Sequence, residues 1–541
     1  MLKIKSTISH SGLRSHLPYI TTLFVFVVIY VSRYWIKWNG IILGSWDEAN
    51  WIPLALRWND TTLFANDLTV NTLVKHFPPA YVFFLATGLK IFDSIRLLML
   101  SGSSALLLLY CTGVYWFAWR LFEHRLAALI IAGISFRVNL DLGNAGWGIY
   151  IPHLMPRTIV CAITPWILGV TLQFQRNIFK IFAFGFAIGI LGNIHPISAL
   201  HLYLLVAGTV TIYPSYQDRF RHLLVISSGF AIGLCPYILQ WVFHQDNIPL
   251  RLEILKFRVG DQFFPNWTCL IFNFLKSYSL PIAFGAIGFL FVSKETEKKK
   301  AKWIILMGLI AALLAFMGPL QSALLPRLAA IQLLRMSGYL FLFSLLLTGF
   351  FLRWLIQQKS IGLRLITILF SIFLVLTAGG GRFDELLLRL PLFSSKPTKG
   401  NILEADIEAP HIGFTDQNAM LDLCEWARNN TVSTDLFITP PGAWASFRIY
   451  AQRSLFVTYK DGVVIIFSGK SAEEWFKRFH ERERIYQSGN VGEILHFAKI
   501  NKIRYMIQEQ NNPEIDLPIV YQNQSFRVLQ LFRSKSIIKA K

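Results

Sequence analysis

Asp47 and Glu48 stand side by side in the stretch Gly44-Ser45-Trp46-Asp47-Glu48-Ala49-Asn50-Trp51-Ile52-Pro53, just past an apolar segment. One carboxylate of such a pair can take a proton from an attacking hydroxyl while its neighbour orients the acceptor or binds a cation. The competing reading is a helix start, because acids in a first turn favour the helix dipole. Position separates the two. Ionisable groups at a membrane face usually serve a substrate, and here Trp51-Ile52-Pro53 and a second proline pair, Pro78-Pro79, follow closely.

The elements that must carry the pair follow from composition. The chain has 541 residues, of which 54% are hydrophobic and 15% charged, with a mean hydropathy of +0.47. That is far too apolar for an ordinary soluble protein and points to an integral membrane protein. Residues 1–400 hold 35 Lys/Arg against 15 Asp/Glu and residues 401–541 hold 17 against 16, so 20 of the 21 net positive charges lie in the apolar part. Topology signals in short loops explain such an excess better than nucleic-acid binding, and no nucleic-acid partner is expected. Four of the five cysteines, Cys111, Cys161, Cys235 and Cys269, lie in or beside apolar runs, so neither a disulfide framework nor a cysteine metal site is expected.

Lys3, Lys5 and Arg14 precede an apolar run over 19–35 with no small-residue cleavage site, which reads as a retained first span with a cytoplasmic N-terminus. Residues 36–95 then form a long outer loop with Asp47, Glu48, Asp60, Asp67 and Asp93. Within it, Pro78–Phe92 predicts an apolar helix short of the roughly 20 residues needed to cross, lying flat on the membrane or forming a shallow hairpin. Further spans are predicted over 96–119, 126–140, 157–174, 179–195, 197–213, 222–243, 269–292, 303–323, 333–352 and 364–379, about 11 in all. The inner loops then carry Arg120 and Arg125, Arg176 and Lys180, Arg219 and Arg221, Lys294 and Lys298–Lys302, and Arg353 and Lys359, as the positive-inside rule requires. Counting Pro78–Phe92 as a span would invert every later loop.

Residues 381–404, with Gly381, Lys396-Pro397 and Lys399-Gly400, read as a connector between a transmembrane domain (1–380) and an extracytoplasmic domain (405–541). In that tail, Leu421–Ala427 and Ala472–Tyr486 have helical spacing, whereas Asp435–Thr439, Leu455–Tyr459, Arg504–Gln508 and Phe526–Phe532 read as strands, giving a small soluble α/β domain. The tail shows no nucleophile–base arrangement and no glycine-rich phosphate loop, which leaves acceptor binding, a lid or a purely structural role.

Asp47-Glu48 beyond the first span, then His76-Phe77-Pro78-Pro79-Ala80-Tyr81 leading a short helix, then Arg96 opening the next span, resembles the GT-C superfamily of membrane glycosyltransferases, closest to its protein O-mannosyltransferase and aminoarabinose transferase-like branch. The tail resembles C-terminal segments of uncharacterised bacterial multi-span proteins. The resemblance implies a polytopic α-helical fold, a first-loop acid as catalytic base, and a sugar donor on a polyprenyl phosphate. It gives Asp141, in Asn139-Leu140-Asp141-Leu142-Gly143, the place of a second acid, against a turn aspartate. In some relatives such acids hold a divalent metal. Asp47 and Asp141 would suit Mg²⁺ or Mn²⁺, although no spacing demands one. A leaving phosphate needs cationic donors, and the candidates near the outer face are His153, Arg157, Arg327 and Arg335. Snorkelling to headgroups is the alternative for Arg335. His76 and His195 are further candidates, the alternative for His195 being a satisfied helix-end histidine.

The expectation is therefore an inverting glycosyltransferase of a bacterial-type cytoplasmic (inner) membrane, multi-pass, acting on a glycan, lipid or protein acceptor at the outer face of the bilayer. Asp47 serves as the base with Glu48 supporting it and Asp141 as the second acid, and Arg157, Arg327 and Arg335 hold the donor phosphate, all meeting in one lipid-accessible hollow. Two rivals stay open: a lipid or polysaccharide transporter, disfavoured by the near absence of carboxylates within the spans, and a membrane scaffold protein.

Overall fold

The computed structural model describes residues 15–37, 47–92, 94–135, 154–172, 177–212, 219–244, 246, 248–263, 267–325, 328, 331–362, 369, 417–442 and 444–532. They belong to two compact units, one made of Met1–Gly40, Leu97–Tyr237 and Asp261–Thr398, the other of Ile41–Arg96, Ile238–Gly260 and Lys399–Lys541.

The first unit is helical. Helices Leu17–Lys37, Ile95–Phe122, Arg125–Ser135, Pro156–Thr171, Ile178–Gly192, Pro196–Ile212, Arg219–His244, Trp267–Leu290, Glu295–Leu324 and Ser337–Gln357 fall on the first ten apolar runs of the sequence, the ends Ile95–Arg96 and Ile238–His244 being counted with the second unit. Residues 136–140 of the third run and nearly all of the eleventh, 364–379, lie outside the described residues. Four segments, Ile95–Phe122, Arg219–His244, Glu295–Ser322 and Leu333–Gln357, are long and apolar enough to cross a bilayer. The chain is a mostly helical membrane protein.

Its packing is of membrane type. Gly185 and Gly189 of one helix face Gly229 and Gly233 of another so closely that a Cβ at Gly185 would lie 2.2 Å from the Ile226 carbonyl oxygen, and one at Gly233 2.4 Å from that of Phe186. Small residues four apart let two backbones meet where lipid offers no hydrophobic drive. The same helix contains Pro236, which disrupts the backbone ladder around it. Asn193 fills that gap: its side-chain amide donates to the Gly233 carbonyl at 2.8 Å, and its oxygen accepts from the Tyr237 N–H at 3.1 Å. Those are the two groups that a regular helix would join to each other.

One end of this unit gathers charge. Arg353 donates two hydrogen bonds to Glu297, at 2.7 and 3.0 Å, and a third to the Phe122 carbonyl at 3.1 Å. Lys300 donates to the Arg120 carbonyl at 2.7 Å. Three of the loops that the sequence assigns to one membrane side thus meet at one end.

The second unit holds a five-stranded mixed sheet in the order β2-β1-β3-β5-β4, where β1 is Leu436–Ile438, β2 Ser454–Leu455, β3 Tyr505–Glu509, β4 Ile519–Gln522 and β5 Phe526–Gln530. β2, β1 and β3 run parallel, and β5 is antiparallel to both of its neighbours. Helix Gln417–Asn430 covers one face through Leu423, Cys424 and Ala427, against Phe437, Tyr505 and Val528. The strand expected over Leu455–Tyr459 is shorter than the alternation suggests. Asp461 caps the backbone N–H of Thr458 at 2.7 Å and turns the chain into the 3-10 helix Tyr459–Ile466.

The first-loop helices Glu48–Asn59, Leu68–His76 and Pro79–Ile91 belong to this same unit. Asp67 caps Leu68–His76 by accepting from the Val70 N–H at 3.1 Å, and also accepts from Arg448 Nε at 2.6 Å and the Leu455 N–H at 3.0 Å. Arg448 donates its remaining pair to Asp461 at 2.7 and 2.8 Å. Burial opposes the charge of Arg448, and the carboxylates of Asp461 and Asp67 outweigh it, raising its pKa further. From the middle stretch, Asp246 accepts from the Gly469 and Lys470 N–H groups at 3.2 and 3.1 Å and from the Ser468 hydroxyl, placing a carboxylate at the start of helix Gly469–Ser488.

Candidate active site

Asp47 is exposed and sits at the N-cap position of Glu48–Asn59, with φ −65°, ψ −16° and no side-chain capping bond. A capping aspartate adopts extended backbone and accepts from the first turn. Asp47 does neither, so the capping version of the helix-start reading does not describe it. Glu48, one residue on, is 1% exposed. Helix Pro79–Ile91, opened by a proline at its first turn as the sequence predicts, brings the buried Tyr81 phenol within the field of both acids. Burial, then Glu48, then Asp47 push the Tyr81 pKa well above its ordinary value. Tyr81 therefore keeps its proton beside the pair at all physiological pH.

An aromatic layer continues from there. Phe77 stands edge-on to Tyr81 at 6.0 Å and stacks on Trp51 at 4.2 Å, while Phe467 of the tail packs against both Phe77 and His76. Gln240 fixes the turn by donating to the carbonyls of Lys75 and Phe77. Asn50 Oδ1, Trp51 Nε1 and His76 Nδ1 are buried without a hydrogen-bond partner among the described residues. Buried polar atoms are normally satisfied by protein, water or ligand. Burial, then His244, lowers the His76 pKa; Asp246 opposes this and Lys75 adds to it.

In the helical unit, Arg157 lies in the first turn of Pro156–Thr171, His195 in the turn before Pro196–Ile212, and Arg335 in the 3-10 turn Leu333–Met336. Arg335 and Arg157 lie close enough to His195 for their charges to act on its ring. His195 Nδ1 accepts from the Ser198 N–H at 3.1 Å, so the ring proton sits on Nε2. The same Nδ1 also meets the Ser198 hydroxyl at 2.8 Å, so His195 holds the start of helix Pro196–Ile212. His201 Nε2 donates to the Ile331 carbonyl at 2.7 Å, tying down the segment that carries Arg335.

The structure therefore brings Asp47, Glu48 and His76 into one unit and Arg157, Arg335 and His195 into the other. Asp141, His153 and Arg327 lie outside the described residues. No group of three or more His, Cys, Asp or Glu side chains able to hold a metal occurs among the described residues. Sequence reasoning assigned no role to Tyr81, His201 or Arg448. For Tyr81 the signal was present, since it falls two residues into the helix that Pro79 opens.

Residues 418–481 match a family described as a domain of unknown function (DUF6798). A search of curated proteins finds no match. Among solved structures, the chain is similar to the archaeal oligosaccharyltransferase AglB from Archaeoglobus fulgidus in complex with an inhibitory peptide and a dolichol-phosphate, at 13% identity and a TM-score of 0.47, over 93% of this chain and 70% of that one. It is also similar to the Archaeoglobus fulgidus oligosaccharyltransferase in complex with Zn and sulfate, at 13% identity and a TM-score of 0.40, over 90% of this chain and 68% of that one.

Proposed function

We propose that the protein is an inverting membrane glycosyltransferase of the protein O-mannosyltransferase and aminoarabinose transferase-like type. It moves a sugar from a polyprenyl-phosphate donor to an acceptor at the outer face of the membrane. The observation that carries this reading is the presentation of Asp47, an exposed carboxylate at a helix start, next to the buried Glu48 and to the buried Tyr81 phenol, whose pKa is raised by burial and by both acids.

Asp47 takes the proton of the acceptor nucleophile as its lone pair attacks the anomeric carbon. The bond from that carbon to the phosphate oxygen breaks, and the electron pair leaves with the polyprenyl phosphate. Glu48 supports Asp47, and Asp141 is the second acid. Arg157, Arg327 and Arg335 stabilise the departing phosphate, and the field they create at His195 supports that role for Arg157 and Arg335. His153 and His195 are further donor contacts. His76, with the unsatisfied Asn50 and Trp51, offers polar atoms to a hydroxyl-rich ligand beside the Trp51–Phe77 stack. Asp47 and Asp141 would be the oxygen ligands of any divalent ion, which would add charge to hold the phosphate.

Reconstituted protein supplied with radiolabelled polyprenyl-phosphate sugars tests the assignment. Asp47→Asn is expected to lower turnover by a factor of about 100 or more, and full activity in that variant would remove the base. A lipid-translocation signal without glycosyl transfer would favour the transporter.

A further inference from the structure

Arg258 lies on helix Leu252–Phe263, in the middle stretch of the second unit. Every other buried or half-buried arginine described in that unit donates to a protein oxygen, as Arg448 does to Asp67 and Asp461, Arg504 to Asp435 and Arg453 to backbone carbonyls. The half-buried Arg258 donates to none among the described residues, and its Nε is buried without a partner. Its place is nonetheless built. The guanidinium lies over the Tyr459 ring, 4.6 Å from the centroid, while the Tyr459 hydroxyl donates to the Arg258 carbonyl at 3.1 Å, so one residue holds both ends of the arginine. A Cβ on Gly462 would lie 2.4 Å from Arg258 Cδ, 2.6 Å from its Nε and 2.7 Å from the Trp475 ring. Gly462 has no left-handed backbone to accommodate; its missing side chain leaves the slot through which the arginine passes.

We propose that Arg258 anchors a binding site for a phosphate ester. A partly buried guanidinium is normally completed by oxygen acceptors. The Tyr459 ring attracts the charge from one face but offers no oxygen to the N–H groups at the guanidinium edge, whose planar fork matches two oxygens of a phosphate. The stretch is bracketed in sequence by helix Arg219–His244, long and apolar enough to cross a bilayer, and by the apolar helix Trp267–Leu290. A phospholipid headgroup and a soluble phosphate ester share the chemistry that such a site recognises.

Two carboxylates near Arg258 in helix or slot are already committed elsewhere. Glu253, on the same helix, accepts from Arg251 at 2.7 Å. Asp461, the neighbour of Gly462, accepts from Arg448 and from the Thr458 N–H. The anion must therefore come from outside these groups. This inference does not depend on the glycosyl-transfer reading, which gives Arg258 no part.

The test treats the full chain in detergent with phenylglyoxal, which modifies accessible guanidinium groups, and reads the extent of reaction at Arg258 by peptide mass spectrometry, with the exposed Arg428 as reference. The probes are short-chain phosphatidylglycerol, glycerol phosphate and tri-glutamate. A phosphate site predicts that Arg258 reacts in the free protein and is protected several-fold by phosphatidylglycerol, by glycerol phosphate or by both, with Arg428 unchanged. Protection by the lipid alone identifies a headgroup, and protection by glycerol phosphate identifies a soluble ester. Gly462→Ala, which keeps every charge but closes the slot, should abolish the protection; if that variant does not fold, the measurement on the parent decides alone. An Arg258 that is unreactive without a probe, protection by neither phosphate, equal protection at Arg428, or protection by tri-glutamate in their place would each overturn the proposal.

Discussion

The Arg448 guanidinium donates to the Asp67 carboxylate at 2.6 Å across 381 positions of chain, and neither side chain is more than 1% exposed. With Asp461 it forms a buried ion triad that joins the first loop to the tail inside one unit. Removing one member of a buried pair strands the other charge and costs about 3–5 kcal/mol. Arg448→Ala should destabilise this unit by that amount, seen as earlier proteolysis within residues 47–91. The combination Arg448→Met, Asp67→Asn and Asp461→Asn, which leaves no stranded charge, should recover much of the loss. Equal stability of the two variants would contradict the triad's role.

Asn193 bridges the break that Pro236 makes in its helix. Asn193→Ala would leave the Gly233 carbonyl and the Tyr237 N–H unpaired in an apolar setting, at a cost of about 1–3 kcal/mol. Pro236→Ala lets the two groups bond directly, so Asn193→Ala should cost far less in that background. A double-mutant cycle by thermal unfolding in detergent measures the coupling; simple additivity would mean the bridge does not matter.

His76 gives the second unit a pH response. Its folded-state pKa lies below the ordinary 6.5, with burial the largest cause. The unfolded chain therefore takes up this proton first as pH falls, and the stability His76 supports is complete above 6.5 and lost progressively below it. His244, Lys75 and Asp246 share that environment. Unfolding midpoints measured from pH 7.5 to pH 5 should fall less in His76→Phe than in the parent; parallel curves would exclude the histidine.

Tyr81→Phe preserves the ring packing against Phe77 but removes the proton donor beside Asp47 and Glu48. If transfer uses this pair, kcat should drop about tenfold or more with little change in KM, and the acid limb of the pH–rate profile should move. Phe at this position with an unaltered profile would reduce Tyr81 to core packing.

Much of the helical architecture can be read from the sequence because each apolar run is a local signal: ten runs correspond to ten helices, and Pro79 marks the start of the short one. The tail is legible where periodicity is strong, as in Leu421–Ala427 or Phe526–Phe532. β4 is not, because Ile519–Gln522 is largely exposed and offers no buried alternation. Helix Val491–Asn501 escapes as well, although Asn490 caps it through the Glu493 N–H at 3.1 Å. Around the candidate site, Asp47-Glu48 stands out by position alone. The Asp67–Arg448–Asp461 triad does not, since a pairing over 381 positions leaves no trace in spacing.

The three-stretch construction of the second unit governs the order of events at the ribosome. Asp67 is made 381 residues before the arginine that neutralises it, an interval of roughly 20–75 s at 5–20 residues per second. Throughout that time the segment bearing Asp47 and Glu48 has neither its ionic partner nor the sheet beside which it folds. A nascent chain that stalls before residue 448 has inserted most of its apolar helices yet presents unfinished acids, so assembly of the candidate centre is one of the last steps of biogenesis and reports that translation has run through the tail.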